Sequence, residues 1–516
     1  MKLLPGFLLL ALVLSASAGP RINHEGRMLG PMPVVSQPVL FNTPEADAVV
    51  SAMQIMPVTS AWNEDVSRRP LLVNSDAMIA QLTADLASNR RTLRPFYEMN
   101  YVLVPDVQPV RTIQFFNYAD ESDLNGGVSP NGLYPIPENL PVETWPRETG
   151  ALTLAQWQQD ANNAGGDRHA IMVQPGAGLL WETWQARLVG GAWEASNGAK
   201  FDLKTNTLRP AGWTSGDAAG LPMFPALVRF DECQRGMVEH AVRLVVKRSR
   251  LGPIYPATHA ASVGGLTDPN IPAMGQRLRL KAAFVIPATW TTAEKAVCLA
   301  LKKYGGLVAD NGGFFSFSVC PDDRFAANAF DHLSTIAISN FEVVQSTGPN
   351  GGPRSPGAPT VSAGTNLFVA PGASVALQGA VTSPSGPATV LWKAVVGPGA
   401  VTFTNSAQPN TTATLTKPGT HLLRLSADDG VHAVAYDAIT VEVVLPVQAA
   451  RSGDDFLVRF PSRIDETYRV ERSPDLSPTA WTILTDNLSG TGGPLEVADS
   501  DALALPQCFY RVKVLP

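Results

Sequence analysis

From Ser346 to Thr360 the chain reads STGPNGGPRSPGAPT, almost wholly Gly, Pro, Ser and Asn, and no compact unit can be built across it. Such a stretch buries too little apolar surface to fold and reads as a linker. After it come the short runs SVALQGAV, TVLWKAVV, AVTFTN, TATLT, HLLRLSAD and AITVEVV, broken by Gly, Pro and Asn turns. Period-two alternation at that spacing predicts an all-β sandwich over 361–445, with Trp392 in its core. Beyond it, FLVRFP, TYRVERS, WTILTD and CFYRVKVL predict a smaller β unit over 446–516.

The N-terminus carries Lys2, the apolar run LLPGFLLLALVL and then SASA, where Ala16 and Ala18 make a small-x-small cleavage site. This is the layout of a secretory signal peptide over 1–18, so a secreted or cell-surface protein cut near Ala18 is expected. No later apolar run reaches the roughly 18 residues of a membrane span, so the mature chain should have no integral membrane segment. With 16% charged residues and net charge −6, nucleic-acid binding is not expected. A monomer is expected, with no cofactor and no metal. The four cysteines, Cys233, Cys298, Cys320 and Cys508, admit either one bridge among the first three or buried thiols throughout.

The region 19–345 holds the chemistry. Helical spacing appears at Pro44–Met56, Asp76–Ser88, Leu152–Asn162 and Thr291–Lys303, the last with Thr292 as a cap and Gly305 as a stop. The rest is strand-like: YVLVP, TIQFFNY, HAIMVQP, LLWETWQARLV, ALVRFDE, HAVRLVV, LRLKAAFVI and FFSFSV. Strands predominate without alternating regularly with helices. The fold class is therefore mainly β (α+β): a large β-sandwich or irregular β-barrel domain with a few helices, followed by two small β-sandwich modules.

Phe201–Glu232 lacks regular periodicity yet gathers Asp217, Asp231, Arg209 and Trp213 among many Gly and Pro, the pattern of an ordered loop that carries a site. Three of the seven histidines, His169, His240 and His259, stand at or near strand ends, from which they could converge with Asp231 or Asp217 as catalytic groups. Asp310 joins the carboxylates from which a glycosidase pair could be drawn, although Asp310-Asn311-Gly312 is equally a turn. Arg277, Arg279 and Lys281 alternate in one strand, and Arg243 follows His240. A cationic row of this kind suits a carboxylate or sulfate, and with a nearby His it would suit a lyase. Arg209 and Trp213 complete the expected binding set.

Six segments recur in one order: AWNEDVSRRPLLVNSDAMIAQL, YADESDLNGGVSPNGLYPIP, GDRHAIMV, LRPAGWTSGDAAGLP, PAMGQRLRLKA and LKKYGGLVADNG. Together they make residues 45–345 resemble a widespread family of secreted bacterial proteins; the resemblance implies one domain and names no reaction. Two departures from the family pattern stand out, Arg94-Pro95-Phe96 in place of His-Pro-Asp and Gln174 in place of an acid. The ending ADDGVHAVAYDAITVEV resembles PKD-type immunoglobulin-like modules, and the tail is similar to small fibronectin-like modules. These features lead to the expectation of a carbohydrate-active enzyme, hydrolase or lyase, acting on an extracellular polysaccharide. The alternative is a non-catalytic polysaccharide-binding or adhesion protein. Neither a GxSxG turn nor an HExxH helix is present.

Overall fold

The computed structural model describes residues 20–147, 149–150, 152–159, 166–261, 265–346, 357–475, 481–505 and 507–515. The expected signal peptide, most of the linker and the end of the Leu152–Asn162 helix lie outside these residues. The protein is mainly β, with five α-helices among the described residues.

Six strands form the largest sheet, in the order Phe341–Val343, Arg277–Leu280, Gly306–Asn311, Val242–Val246, Phe315–Val319 and Leu93–Tyr97. Directions are mixed: Val242–Val246 runs parallel to Gly306–Asn311 and antiparallel to Phe315–Val319, which runs parallel to Leu93–Tyr97. The FFSFSV alternation explains how this sheet has two unlike faces. Phe315, Phe317 and Val319 point into the main core, and Ser316 and Ser318 point the other way. A five-stranded sheet centred on Ala170–Gln174 and a four-stranded sheet containing Arg111–Phe115 close a second core around Phe115, Tyr134, Met172, Trp181 and Trp193.

Helix Thr292–Lys303 backs the main core with Ala296, Val297, Ala300 and Leu301. Its cap is Thr291, one residue before the expected Thr292. Thr291 Oγ1 accepts from the Glu294 amide at 3.0 Å, and the Glu294 carboxylate accepts from the Thr291 amide at 2.8 Å. Gly305 ends the helix at φ +65°, where a Cβ would stand 2.2 Å from the Leu278 carbonyl.

ALVRFDE is not the strand its alternation suggested. Phe224–Ala226 is a 3-10 turn and Phe230–Arg235 a short helix, with acids Asp231 and Glu232 in its first turn and Gly236 at φ +81° closing it. Pro225 removes a ladder donor, and acids at the N-terminus favour the helix. No disulfide forms among the four cysteines; Cys233, Cys298 and Cys320 are buried thiols.

Beyond residue 360, Trp392 is 1% exposed at the centre of a sandwich core with Leu377, Leu423, Leu425 and Val441. Its indole donates to the Pro409 carbonyl at 2.9 Å. This unit touches the first region through Arg424, which donates to the Gly26 carbonyl at 2.6 Å, and through the Arg68–Asp428 ion pair. The tail holds two three-stranded sheets, in one of which Thr467–Ser473 pairs antiparallel with Phe509–Leu515.

Candidate active site

Arg243 is the hub of the site. It projects from the centre of the six-stranded sheet, 3% exposed, on the face that Ser318 shares. Nε and Nη2 donate to Asp217 Oδ2 and Oδ1, both at 3.0 Å, and Nη2 also reaches Asp310 Oδ2 at 2.7 Å. Nη1 lies 3.6 Å from Glu98 Oε1, which accepts from Ser318 Oγ at 2.5 Å. Three carboxylates thus share one guanidinium. Asp217 is sealed in, whereas the Glu98 and Asp310 side chains remain 22% and 24% exposed.

Burial pushes the Glu98 carboxyl up to about 7 against the pull of Arg243. Burial likewise lifts Asp217 to about 6, with Arg243 opposing and Asp310 adding. Behind them Glu182, fully buried, is raised to about 8 by burial, although it accepts from the Met223 and Phe224 amides. Asp217, His169 and Glu182 lie within electrostatic reach of one another.

His169 is a fixed cation in this network. Nδ1 meets Glu143 Oε2 at 2.9 Å and Nε2 meets the Gly216 carbonyl at 2.8 Å. Both nitrogens face acceptors, so both carry protons. Burial disfavours the charge, but Glu143 outweighs it and the imidazole is raised to about 9. The backbone is shaped for this contact: Arg168 at φ +51° and Thr144 at φ +68° flank the pair in left-handed conformations. At Gly166, φ +60°, a Cβ would come within 3.2 Å of Glu143 Oε1. His259 is arranged differently. Nδ1 meets the Ala218 carbonyl at 2.6 Å, which leaves Nε2 as the open nitrogen of a half-buried ring next to the Asp217 turn.

The structure therefore brings His169, Asp217, Arg243 and Asp310 together, with His259 alongside. It separates the others. His240 and Asp231 sit in a second network: His240 Nδ1 meets the Ala241 carbonyl and Nε2 meets Glu232 Oε2 at 3.2 Å, while Asp231 accepts from Arg235 at 2.5 Å. Arg229 pairs with Glu232 at 2.8 Å. Arg209 fastens the loop, donating to the Thr214 and Glu121 carbonyls and to Asp123, with Trp213 against its guanidinium at 5.4 Å.

Each member of the expected cationic row is bonded within the fold. Arg277 is buried and donates to the Tyr304 and Ala61 carbonyls, Arg279 pairs with Glu342 at 2.6 Å, and Lys281 donates to the Ser339 carbonyl at 2.9 Å. Trp181 and Trp193 are core side chains. Among the described residues no group of three or more His, Cys, Asp or Glu is arranged to hold a metal ion. No helix among them is long and apolar enough to cross a membrane.

Glu98, Glu143, Glu182 and Ser318 escaped the reading of the sequence. Ser318 alternates with Phe in FFSFSV, a visible sign that one face of that strand is polar. Glu98 and Glu143 each stand alone among apolar residues, in FYEMNYV and PVETWP, with no local motif to mark them.

Comparison with known proteins identifies the module after the linker. Residues 363–443 match a family of PKD domains, so this chain carries a PKD domain. No curated protein matches the chain. Among solved structures, the D00-D0 domain of intimin aligns at 10% identity and TM-score 0.17, covering 31% of this chain and 100% of that one. The Yersinia pseudotuberculosis adhesin InvE aligns at 16% identity and TM-score 0.16, covering 30% and 55%. The secreted serine protease VesC from Vibrio cholerae aligns at 8% identity and TM-score 0.16, covering 34% and 50%.

Proposed function

We propose that the first region is an exported carbohydrate-active hydrolase acting on an extracellular polysaccharide, with Glu98 as the acid and Asp310 as its partner carboxylate. The observation that carries this reading is the unequal pair on Arg243. Both carboxyls reach the surface beside one guanidinium, and Glu98 is held near 7. Glycoside cleavage needs one carboxylic acid to protonate the leaving oxygen and one carboxylate to meet the anomeric carbon or to activate water there. Glu98 gives its proton to the glycosidic oxygen as the C–O bond breaks. Asp310 takes a proton from the water whose oxygen bonds to the anomeric carbon, and Arg243 fixes both side chains. Asp217 positions Arg243 from behind and His169 holds the adjacent Gly216 carbonyl; neither touches substrate. The lyase version loses its support with the committed charges of Arg277, Arg279 and Lys281.

The export signal in the sequence and the PKD domain favour an extracellular setting. The PKD domain also favours a second reading, that of a polysaccharide-binding protein without turnover. Incubating the secreted chain with a panel of neutral and acidic polysaccharides separates the two. Reducing ends released by the wild type and abolished in Glu98→Gln and Asp310→Asn are expected, without the unsaturated product that absorbs near 235 nm. Binding without product across the panel would replace the hydrolase with the binding protein.

A further inference from the structure

We propose that the groove along the outer strand Leu93–Tyr97 is an anion-selecting subsite that leads to Glu98, and that the polymer it takes is an acidic polysaccharide bearing uronate carboxylates or sulfate esters. The assignment rests on the reading of Glu98 for its place in the reaction and on the groove's own side chains for its ligand.

Leu93–Tyr97 is the last strand of the six-stranded sheet, paired on one side with Phe315–Val319. Pro95, which has no amide to donate, is suited to such an edge. Arg94 pairs in register with Ser316 and Phe96 with Ser318, and the ladder continues as the Glu98 amide donates to the Val319 carbonyl at 3.1 Å. Arg94, Phe96 and Glu98 therefore share one face, spread over about 13 Å at the usual rise of a strand. An open groove lies beside Arg94 and Phe96, lined also by Tyr97, Phe314, Phe330 and Asp331.

Two features make this groove a binding surface for a charged sugar. The Phe96 and Phe314 rings meet edge to face at 5.4 Å and offer apolar faces for sugar C–H groups. Arg90, 4.4 Å over Phe314, and Arg94 carry the positive charge. Among the described residues neither has a carboxylate partner. Arg90 donates to the Gly313 carbonyl at 3.2 Å, and Arg94 makes one long contact to the Asn89 carbonyl at 3.4 Å while its buried Nε has no acceptor at all. A buried guanidinium N–H without an acceptor is costly, and a carboxylate or sulfate oxygen is the acceptor whose geometry it fits. The groove lining holds Arg94 and one acid, Asp331, and Arg90 adds its charge from over Phe314 in a protein of net charge −6. The hub arginine, Arg243, is by contrast already saturated with acids.

The test is isothermal titration of the full-length Glu98→Gln protein with polygalacturonate, dextran sulfate and uncharged dextran. The acidic polymers should bind about tenfold or more tightly than dextran, with affinity falling as salt rises. Arg90→Ala/Arg94→Ala should reduce acidic binding to the dextran level, and Arg94→Gln, which keeps the stem in place, should move it in the same direction. Preference between polygalacturonate and dextran sulfate tells carboxylate from sulfate. Dextran binding as tightly as the acidic polymers, or undiminished acidic binding by a folded Arg94→Gln, would overturn the subsite. Arginine-dependent binding by a wild type that cleaves none of the probes would uphold the groove and remove the role given to Glu98.

Discussion

Two buried arginines in this protein, Arg243 and Arg229, are surrounded by the same kinds of side chain and end in opposite electrostatic states. Arg243 faces Asp217, Asp310 and Glu98 with His169 behind; Arg229 faces Asp231 and Glu232 with His240 behind. Around Arg229 a second cation, Arg235, balances the count. Burial would raise the Glu232 carboxyl, but Arg229 and His240 outweigh it and hold Glu232 well below the usual carboxylate range. Around Arg243 burial outweighs the pull of the arginine, and the Glu98 and Asp217 carboxyls are raised to about 7 and about 6, with Glu143 and Asp310 adding to the rise. A matched cluster locks structure, and an unmatched one that reaches solvent holds a proton ready for transfer.

The hardest blow to this contrast would come from activity. Glu98→Gln should lower polysaccharide turnover by about 10²–10⁴-fold, the usual worth of a positioned acid. His240→Ala should leave turnover within about twofold, since both its nitrogens are engaged inside the matched cluster. Comparable losses in the two variants would erase the distinction. Stability should respond in the complementary way. Arg229→Ala leaves the buried Glu232 and Asp231 with Arg235 as their one remaining arginine, at a cost of about 3–5 kcal/mol, and a smaller loss in urea unfolding would mean that Arg235 and His240 or water already compensate these acids.

The pH dependence sharpens the same contrast because Glu232 shifts opposite to the carboxyls around Arg243, while its neighbour Asp231 is raised by burial and by Glu232 itself. Asp217, Glu98, Glu182 and His169 are all raised, to about 6, 7, 8 and 9. Their contribution is full below their ordinary values and is lost as pH rises through those four values. Glu232 is lowered, so its contribution is present above its ordinary 4.5 and is lost as pH falls through its folded value. Melting temperature should therefore decline on the alkaline side through the Arg243 cluster and on the acid side through the Arg229 cluster. Glu182→Gln should flatten the alkaline limb by about 1–2 kcal/mol, and Glu232→Gln the acid limb by a similar amount. Unchanged limbs in both variants would show that other groups set the profile.

What could be read from the sequence divides along the same physical line. Elements governed by local pattern were legible: helix Thr292–Lys303 from its capping signal, most of the alternating strands and the PKD ending. The exception, ALVRFDE, alternates like a strand but carries helix-starting acids and a closing glycine, and the local terminus signals won. Of the site, His169, Asp217, Arg243 and Asp310 were marked by residue type, yet their meeting depends on a fold that brings Asp217, 26 residues away, and Asp310, 67 residues away, to Arg243. Glu98 depends on it entirely, since only its pairing beside Ser318 brings it to Arg243. Saturation is the other thing a sequence does not display. Arg277, Arg279 and Lys281 look available until the carbonyls of distant loops are in place.

The smallest expected effect tests whether exposure, and not pairing itself, separates strong from weak ion pairs here. Arg68 and Asp428 make a two-pronged contact at 2.6 and 3.1 Å between the first region and the PKD domain, with a fork geometry like that of Arg243 and Asp217. Their side chains are 44% and 34% exposed. Water solvates both partners when the pair opens, so Arg68→Ala should cost only about 0–1 kcal/mol and the cost should fade with salt. A double-mutant cycle with Asp428→Ala measures the coupling directly. A coupling of several kcal/mol would mean that the junction between the units is drier than the exposure of this pair implies, and the weight given to burial in the Arg243 and Arg229 clusters would then belong to geometry.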